Sequence, residues 1–338
     1  MNLCSANGLH ALMGLKGVGA KRAEKLAEHY GSWDELASAG PEELARVVGA
    51  GVAKNLTPEA FRAGPVLYQA PDGMSLLSRY DQGWPAGLLG IPDPPALLWS
   101  VGTLPSGPLL TVVGTREPTV YGSGATKMIA RAAAGQGIGI VSGLARGVDS
   151  LAHEACLDAG QPTWAVVGQG LATLVEGARA DLSRRIVAEG GGLLAEVAPG
   201  TPSEPYQLIR RNRLLSALPG AVVIAESSVP GEGPDRVPAG TMHTARYATA
   251  QGRPLVVVCP QGEWAAQDKA TGNLALIDPG GCPADAVHAT HKDDIARCES
   301  RRPYADLVLR GKDDLPGLWE LFRSRPAAAL TGWVDPFS

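Results

Sequence analysis

Between residues 109 and 258, short apolar runs alternate with stretches of helical periodicity, and this alternation constrains the fold more than any other feature of the chain. The runs fall at Leu109–Val113, Ile138–Val141, Thr163–Val167, Gly192–Ala195, Ala221–Ala225 and Leu255–Val258. Each is too short for a helix and apolar almost throughout, as expected of strands buried on both faces. Helical stretches fill the gaps, near 123–135, 148–159, 178–189, 206–217 and 241–251. Strand and helix in regular succession predict an α/β fold: a Rossmann-like, mostly parallel sheet with helices on both faces. No strand here is followed by Gly-x-Gly-x-x-Gly with an acidic residue about 20 positions on, so dinucleotide chemistry is disfavoured. Gly168-Gln169-Gly170 comes nearest, and Leu171-Ala172-Thr173 breaks the pattern.

Three strand ends carry cations. Ser142-Gly143-Leu144-Ala145-Arg146-Gly147-Val148-Asp149 closes one strand, turns through two glycines and opens a helix reaching His153. The glycines permit close approach by a ligand, the helix-opening amides lack intrahelical acceptors, and Arg146 adds a charged donor. Gly114-Thr115-Arg116 ends another strand, and Arg210-Arg211-Asn212-Arg213 lies between two further elements of the same sheet. Taken singly, each has a plainer reading, because such loops keep glycine for tight turning and basic runs are usually solvated helix faces. Together they place guanidinium groups at the edge where open α/β sheets bind ligands, and they suit a polyphosphate. Asp149 and His153, four apart on one helix, read as bracing residues rather than a catalytic pair. Asp149 is placed to favour the helix macrodipole and to hold Arg146 by an ion pair.

The chain divides into four segments. Residues 1–64 form a small all-helical domain, in which Leu15-Lys16-Gly17-Val18-Gly19 followed by Lys21 has the form of a helix-hairpin-helix (SAM-like) turn. Lys16, Gly17, Gly19 and Lys21 are candidates for accessory DNA phosphate contacts, and the same turn equally serves packing alone. Ser32 and Pro41 open further short helices. Residues 65–108, rich in Pro and Gly, read as linker and lead-in to the sheet, with Trp84 and Trp99 packing on the core. Residues 109–291 are the Rossmann-like domain. Residues 292–338 form a tail or small domain with scattered aromatic anchors and no clear winged helix.

Composition narrows the function. The net charge is −4, so the chain does not coat nucleic acid by overall attraction, and any basic character must be focal. No run approaches the ~20 apolar residues of a membrane span, and the first residues lack the form of a secretory signal, which predicts a cytoplasmic protein. Five cysteines without paired spacing argue against a zinc cage or a disulfide framework.

The ordered motifs resemble the DNA-processing protein A (DprA/Smf) family. Asp93-Pro94-Pro95, Leu98-Trp99 and Gly102-Thr103-Leu104 resemble its lead-in, Gly114-Thr115-Arg116 its Gly-Ser-Arg loop, and Ser142 to His153 its longest signature. Gly168-Gln169-Gly170-Leu171, Pro199-Gly200-Thr201-Pro202, Arg211-Asn212-Arg213, Ala239-Gly240-Thr241 and Gln251-Gly252-Arg253 follow in the family's order, over about residues 84 to 285. The resemblance implies a recombination mediator rather than an enzyme, without a cofactor. Such proteins bind single-stranded DNA in a basic pocket and load RecA, against single-strand-binding protein, in natural transformation and homologous recombination, usually as homodimers. Carried across by motif, the pocket would use Gly114, Thr115, Arg116, Ser142, Gly143, Arg146, Arg210, Arg211, Asn212, Arg213, Gly240 and Thr241, gripping phosphates with little sequence choice.

Four departures stand out. Thr115 replaces Ser; the family's Tyr-Pro and following Asn are missing around Val175-Glu176-Gly177; Val229 to Pro238 is an insertion; and Gln261 to Ala270 replaces a more ordered run. The rival reading is a Rossmann-like enzyme that binds or hydrolyses nucleoside monophosphates. Pro238-Ala239-Gly240-Thr241 is only partly like such an enzyme's phosphate loop, and Ala245 or Arg246 stands where an acid would act.

Overall fold

The computed structural model describes residues 1–62, 64–174, 178–228, 240–278 and 304–324. Val175-Glu176-Gly177, the 229–238 insertion, Ala239, Cys282, Cys298, Trp333 and Phe337 lie outside these. The chain separates into two compact units, Met1–Trp84 with Asp93–Val101, and Pro85–Pro92 with Gly102 onward.

The first unit opens with helices α1 (Ala6–Met13), α2 (Ala20–His29), α3 (Trp33–Ala37), α4 (Pro41–Val48), α5 (Ala50–Ala53) and α6 (Pro58–Arg62). Ser5 and Ser32 start α1 and α3 by accepting from the Gly8 and Glu35 amides, and Pro41 sits in the first turn of α4, where its missing N–H costs nothing. Gly17, at φ 85°, makes the turn from α1 into α2. Gly49, at φ 86°, makes an equivalent turn from α4 into α5, so the helical hairpin occurs twice. The Pro/Gly-rich segment is more ordered than a linker: β1 (Met74–Ser78) pairs antiparallel with β2 (Leu97–Gly102). Trp99 is buried in β2 against His10 and Tyr68.

The second unit contains β3 (Leu109–Val113), α7 (Val120–Ala134), β4 (Gly139–Ser142), α8 (Val148–Leu157), β5 (Thr163–Val167), α9 (Ala178–Ala188), β6 (Gly192–Ala195) and α10 (Pro205–Ala217). Then follow β7 (Ala221–Ile224), α11 (Gly240–Ala250), β8 (Leu255–Val258), α12 (Thr271–Ile277), β9 (Leu307–Leu309) and α13 (Leu315–Ser324). Strand order runs β6-β5-β4-β3-β7-β8-β9, every pair parallel. The chain winds from β3 out to β6, then returns to β7 and winds the other way, as in doubly wound sheets.

Pleat parity shows both faces covered. Leu110 and Val112 of β3 point into one core with Ile129 of α7 and Ala152 of α8. Thr111, between them, points the opposite way and donates to the Leu215 carbonyl of α10 at 2.7 Å. Strand residues of β3 to β8 are accordingly buried throughout, matching their apolar runs. The described part of the expected tail belongs to this sheet: β9 pairs with β8, and Leu318 and Trp319 of α13 enter the same core.

Candidate nucleic-acid interface

The loops leaving β3, β4 and β5, with the first turns of α9 and α10, enclose a cavity of about 330 Å³ at the carboxyl edge of the sheet. Four arginines line it, Arg116, Arg146, Arg179 and Arg211, and among the described residues no carboxylate does. Gln169 and Ser203 supply neutral polar groups, while Leu144, Leu174 and Leu208 make an apolar wall. Arg116, Arg146 and Arg179 are exposed, and among the described residues none has an ion-pair partner.

Two glycines make this rim. Gly147 has φ 80° and ψ −128°, a conformation closed to other residues, and a Cβ there would lie 2.4 Å from the Thr115 carbonyl oxygen. The Arg116 and Arg146 loops therefore press backbone to backbone, joined by the Val148 amide donating to Thr115 O at 3.1 Å. Gly143 has no room either: a Cβ would meet Arg211 Nη1 at 2.4 Å and Asp149 Oδ2 at 2.6 Å. Between them Leu144 sits at φ 57°, the one non-glycine among the described residues in the left-handed region, a strained position of the kind that clusters at binding sites.

Behind the rim lies a buried charged network. Arg211 Nη1 donates to the Gly143 carbonyl at 3.0 Å and to the Val166 carbonyl. Asp149 Oδ2 accepts from the Gly143 amide at 3.1 Å and the Ala145 amide at 3.3 Å, and its charge faces Arg211. The expected Asp149–Arg146 ion pair is not formed, because the carboxylate turns inward to Arg211 and leaves Arg146 to the cavity. Burial lowers the Arg211 guanidinium to about 10, with Asp149 opposing that shift, so Arg211 stays charged at neutral pH. Burial raises the Asp149 carboxyl, while Arg211 and the two amides pull it back. His153 is also buried, and desolvation with the Arg211 charge lowers it to about 3, so it is neutral. Since Thr163 Oγ1 donates to the Ile140 carbonyl, it accepts from His153 Nδ1, at 2.7 Å. His153 braces the helix.

Several expected residues sit outside the cavity lining. Arg213 is 3% exposed and makes a paired contact with Glu196, at 2.8 and 2.7 Å; Arg210 meets the same carboxylate at 3.0 Å. The cause is helix geometry: at 100° per residue, Arg210 and Arg213 share one side of α10 and Arg211 points from another. Asn212 donates to the Gly240 carbonyl at 2.9 Å, tying α10 to α11, and neither Gly240 nor Thr241 reaches the cavity. Ser142 is fully buried, its hydroxyl donating to the Val112 carbonyl at 2.7 Å. Gly114 makes room for Val148 and the Glu226 backbone, and Thr115 accepts from the Glu117 amide at 3.3 Å. In the helical unit Gly17 and Gly19 shape the α1–α2 turn, the Lys16 carbonyl accepts from Asn55 Nδ2 at 3.4 Å, and Lys21 is well exposed, 3.9 Å from Asp93. Arg179 was not anticipated, being a lone arginine in the first turn of α9 with no neighbouring motif.

Comparison with known proteins agrees with this geometry. Residues 9–60 match the SAM-like helix-hairpin-helix tandem, and residues 75–297 match DNA recombination-mediator protein A. Protein Smf of Synechocystis is 32% identical over 249 residues, 69% of this chain and 59% of that protein. DNA processing protein DprA of Bacillus subtilis is 30% identical over 189 residues, 55% of this chain and 61% of the relative. The chain thus spans about three fifths of these relatives' length. Among solved structures, DprA of Streptococcus pneumoniae superposes with a TM-score of 0.63 over 92% of this chain and 97% of the other, at 22% identity, a likeness of fold. With a tandem helical hairpin ahead of a parallel sheet whose residues 75–297 carry the family's pattern, this chain belongs to the DNA recombination-mediator protein A (DprA/Smf) family.

Proposed function

We propose that the cavity binds single-stranded DNA through its phosphates and that the protein acts as a recombination mediator, loading RecA onto strands otherwise held by single-strand-binding protein. The observation carrying this reading is the meeting of Arg116, Arg146 and Arg211 in one cavity, with no lining carboxylate among the described residues, in a chain of net charge −4. Focal cations beside apolar side chains suit a strand with splayed bases, since phosphates are gripped while base faces meet Leu174 and Leu208. The paired hairpin turns of the helical unit, with Lys16 and Lys21, are an accessory phosphate contact in this reading, and the working form is a homodimer.

A nucleotide-hydrolysing enzyme needs an acid or base within reach of its substrate. Among the described residues the cavity lining has neither carboxylate nor histidine, which favours a binder. The test is equilibrium titration of labelled single- and double-stranded oligonucleotides, with Arg116→Ala and Arg146→Ala as variants. Preferential single-strand binding that weakens about tenfold or more with the paired substitutions supports the reading. Equal affinity for duplex, or tight mononucleotide binding with release of free base, refutes it. RecA loading is read separately, as RecA-dependent strand exchange on protein-coated single strands.

A further inference from the structure

We infer that Arg179 is a phosphate-binding residue of this cavity, and that the exposed trio Arg116, Arg146 and Arg179 fits the site to several consecutive phosphodiesters rather than one nucleotide. The inference rests on the single-strand reading above and deepens it.

Arg179 comes from a different element from its companions. Arg116 follows β3, Arg146 follows β4, Arg211 belongs to α10, and Arg179 stands in the first turn of α9. That position is electrostatically poor for a cation, because the helix macrodipole already places positive charge there. Elsewhere on the same helix the arginines are compensated: Arg184 pairs with Asp181 at 2.5 Å, and Arg185 with Asp158 at 2.8 Å and Glu189 at 2.6 Å. Arg179 has no such partner among the described residues and lines the cavity that Arg116, Arg146 and Arg211 also line. An anion in the cavity would account for a cation at the wrong end of a helix on a cavity lined by three further guanidiniums.

Charge balance then sets the class of anion. Asp149 offsets Arg211 from behind, leaving three guanidiniums on the cavity that have no carboxylate partner among the described residues. A terminal phosphate brings a charge of only about −1.5 to −2, whereas each internal phosphodiester brings one negative charge. Three consecutive phosphodiesters match the three cations, one to each, and a nucleoside monophosphate leaves one unmet.

The salt dependence of oligonucleotide binding reads this directly. For single strands, log K falls against log salt by about 0.7 per neutralised phosphate. Arg179→Ala should flatten that slope by about 0.7 and weaken binding of an oligodeoxythymidylate by about fourfold at 0.15 M salt. Arg184→Ala removes the same charge from the same helix outside the cavity and should leave the slope unchanged, while Arg179→Lys should restore most of it. Arg179 is exposed, so its replacement leaves the fold intact, which a melting curve checks. An Arg179→Ala slope equal to wild type, with Arg146→Ala still flattening it, overturns the inference and spares the single-strand reading. If the wild-type protein binds no single strand, both fall. Equal affinity for a mononucleotide and a long oligonucleotide overturns the multi-phosphate site alone.

Discussion

Replacing Arg211 with methionine tests the network that holds the cavity floor. Arg211 is 8% exposed, donates to the Gly143 and Val166 carbonyls, and neutralises Asp149. Removing it leaves the Asp149 carboxylate in a dry interior with the Gly143 and Ala145 amides as its remaining donors, and leaves the Gly143 carbonyl short of a donor. Breaking one side of a buried ion pair costs about 3–5 kcal/mol, most of it the penalty of the stranded charge. For a unit of this size each kcal/mol shifts the melting temperature by about 2–4 °C, so Arg211→Met should melt roughly 6–20 °C lower. Asp149→Asn in the same background removes the stranded charge, and the double variant should regain about half the loss, about 2 kcal/mol, so that the coupling equals this recovery plus the loss from Asp149→Asn alone. Differential scanning calorimetry on the four proteins of the cycle measures this. A loss below about 2 °C for Arg211→Met, or strictly additive losses, would refute the view that the two groups form one buried unit. The same reasoning makes Arg211 a poor probe of DNA binding, because its loss disturbs the fold and the site together.

Three further outcomes follow from the geometry. His153 protonates near pH 6.5 when unfolded and only at about 3 when folded, so the unfolded state binds the extra proton between those values. Its contribution is fully present above about pH 6.5 and is lost as pH falls, by about 2 kcal/mol at pH 5, a slope that urea titrations should find reduced in His153→Gln. Gly147→Ala should cost about 2 kcal/mol or more and abolish oligonucleotide binding, since the Cβ clashes with the Thr115 carbonyl at a positive φ; near-native stability would show that the two loops are not locked together. Trp319→Ala should destabilise the sheet unit by about 3–5 kcal/mol in chemical denaturation, and a change under 1 kcal/mol would mean that α13 does not complete the core.

The strands from β3 to β8 were legible because a strand buried on both faces must be apolar throughout, and that pattern is hard to produce otherwise. The hairpin β1–β2 was hidden by its setting: Met74–Ser78 is short and only partly buried, and Pro71, Pro85, Pro92 and the Pro94-Pro95 pair around the two strands read as linker. Strand β9 is three residues long, too short for any periodicity, and its identity depends on pairing with β8.

Of the site, the residues adjoining glycine turns were legible, because a turn fixes where the next side chain points. In the Arg210–Arg213 run, that Arg211 alone reaches the cavity was not legible, since charge alone does not show which face of a helix meets it. Glu196, the partner that withdraws Arg210 and Arg213, directly follows β6, on a separate element from α10. Ser142 and Asp149 belong to the signature loop, yet they shape it from inside. Arg179 carried no local signal at all.

In the proposed complex, phosphates of a single strand lie against the guanidiniums of Arg116 and Arg146 at the carboxyl edge of the sheet. A crystal structure of the protein with a short oligodeoxythymidylate measures this most directly. Phosphate oxygens should lie within hydrogen-bond distance of both side chains, with Ser142 and Arg213 untouched behind them. A strand bound on another surface, with the cavity empty, would contradict it.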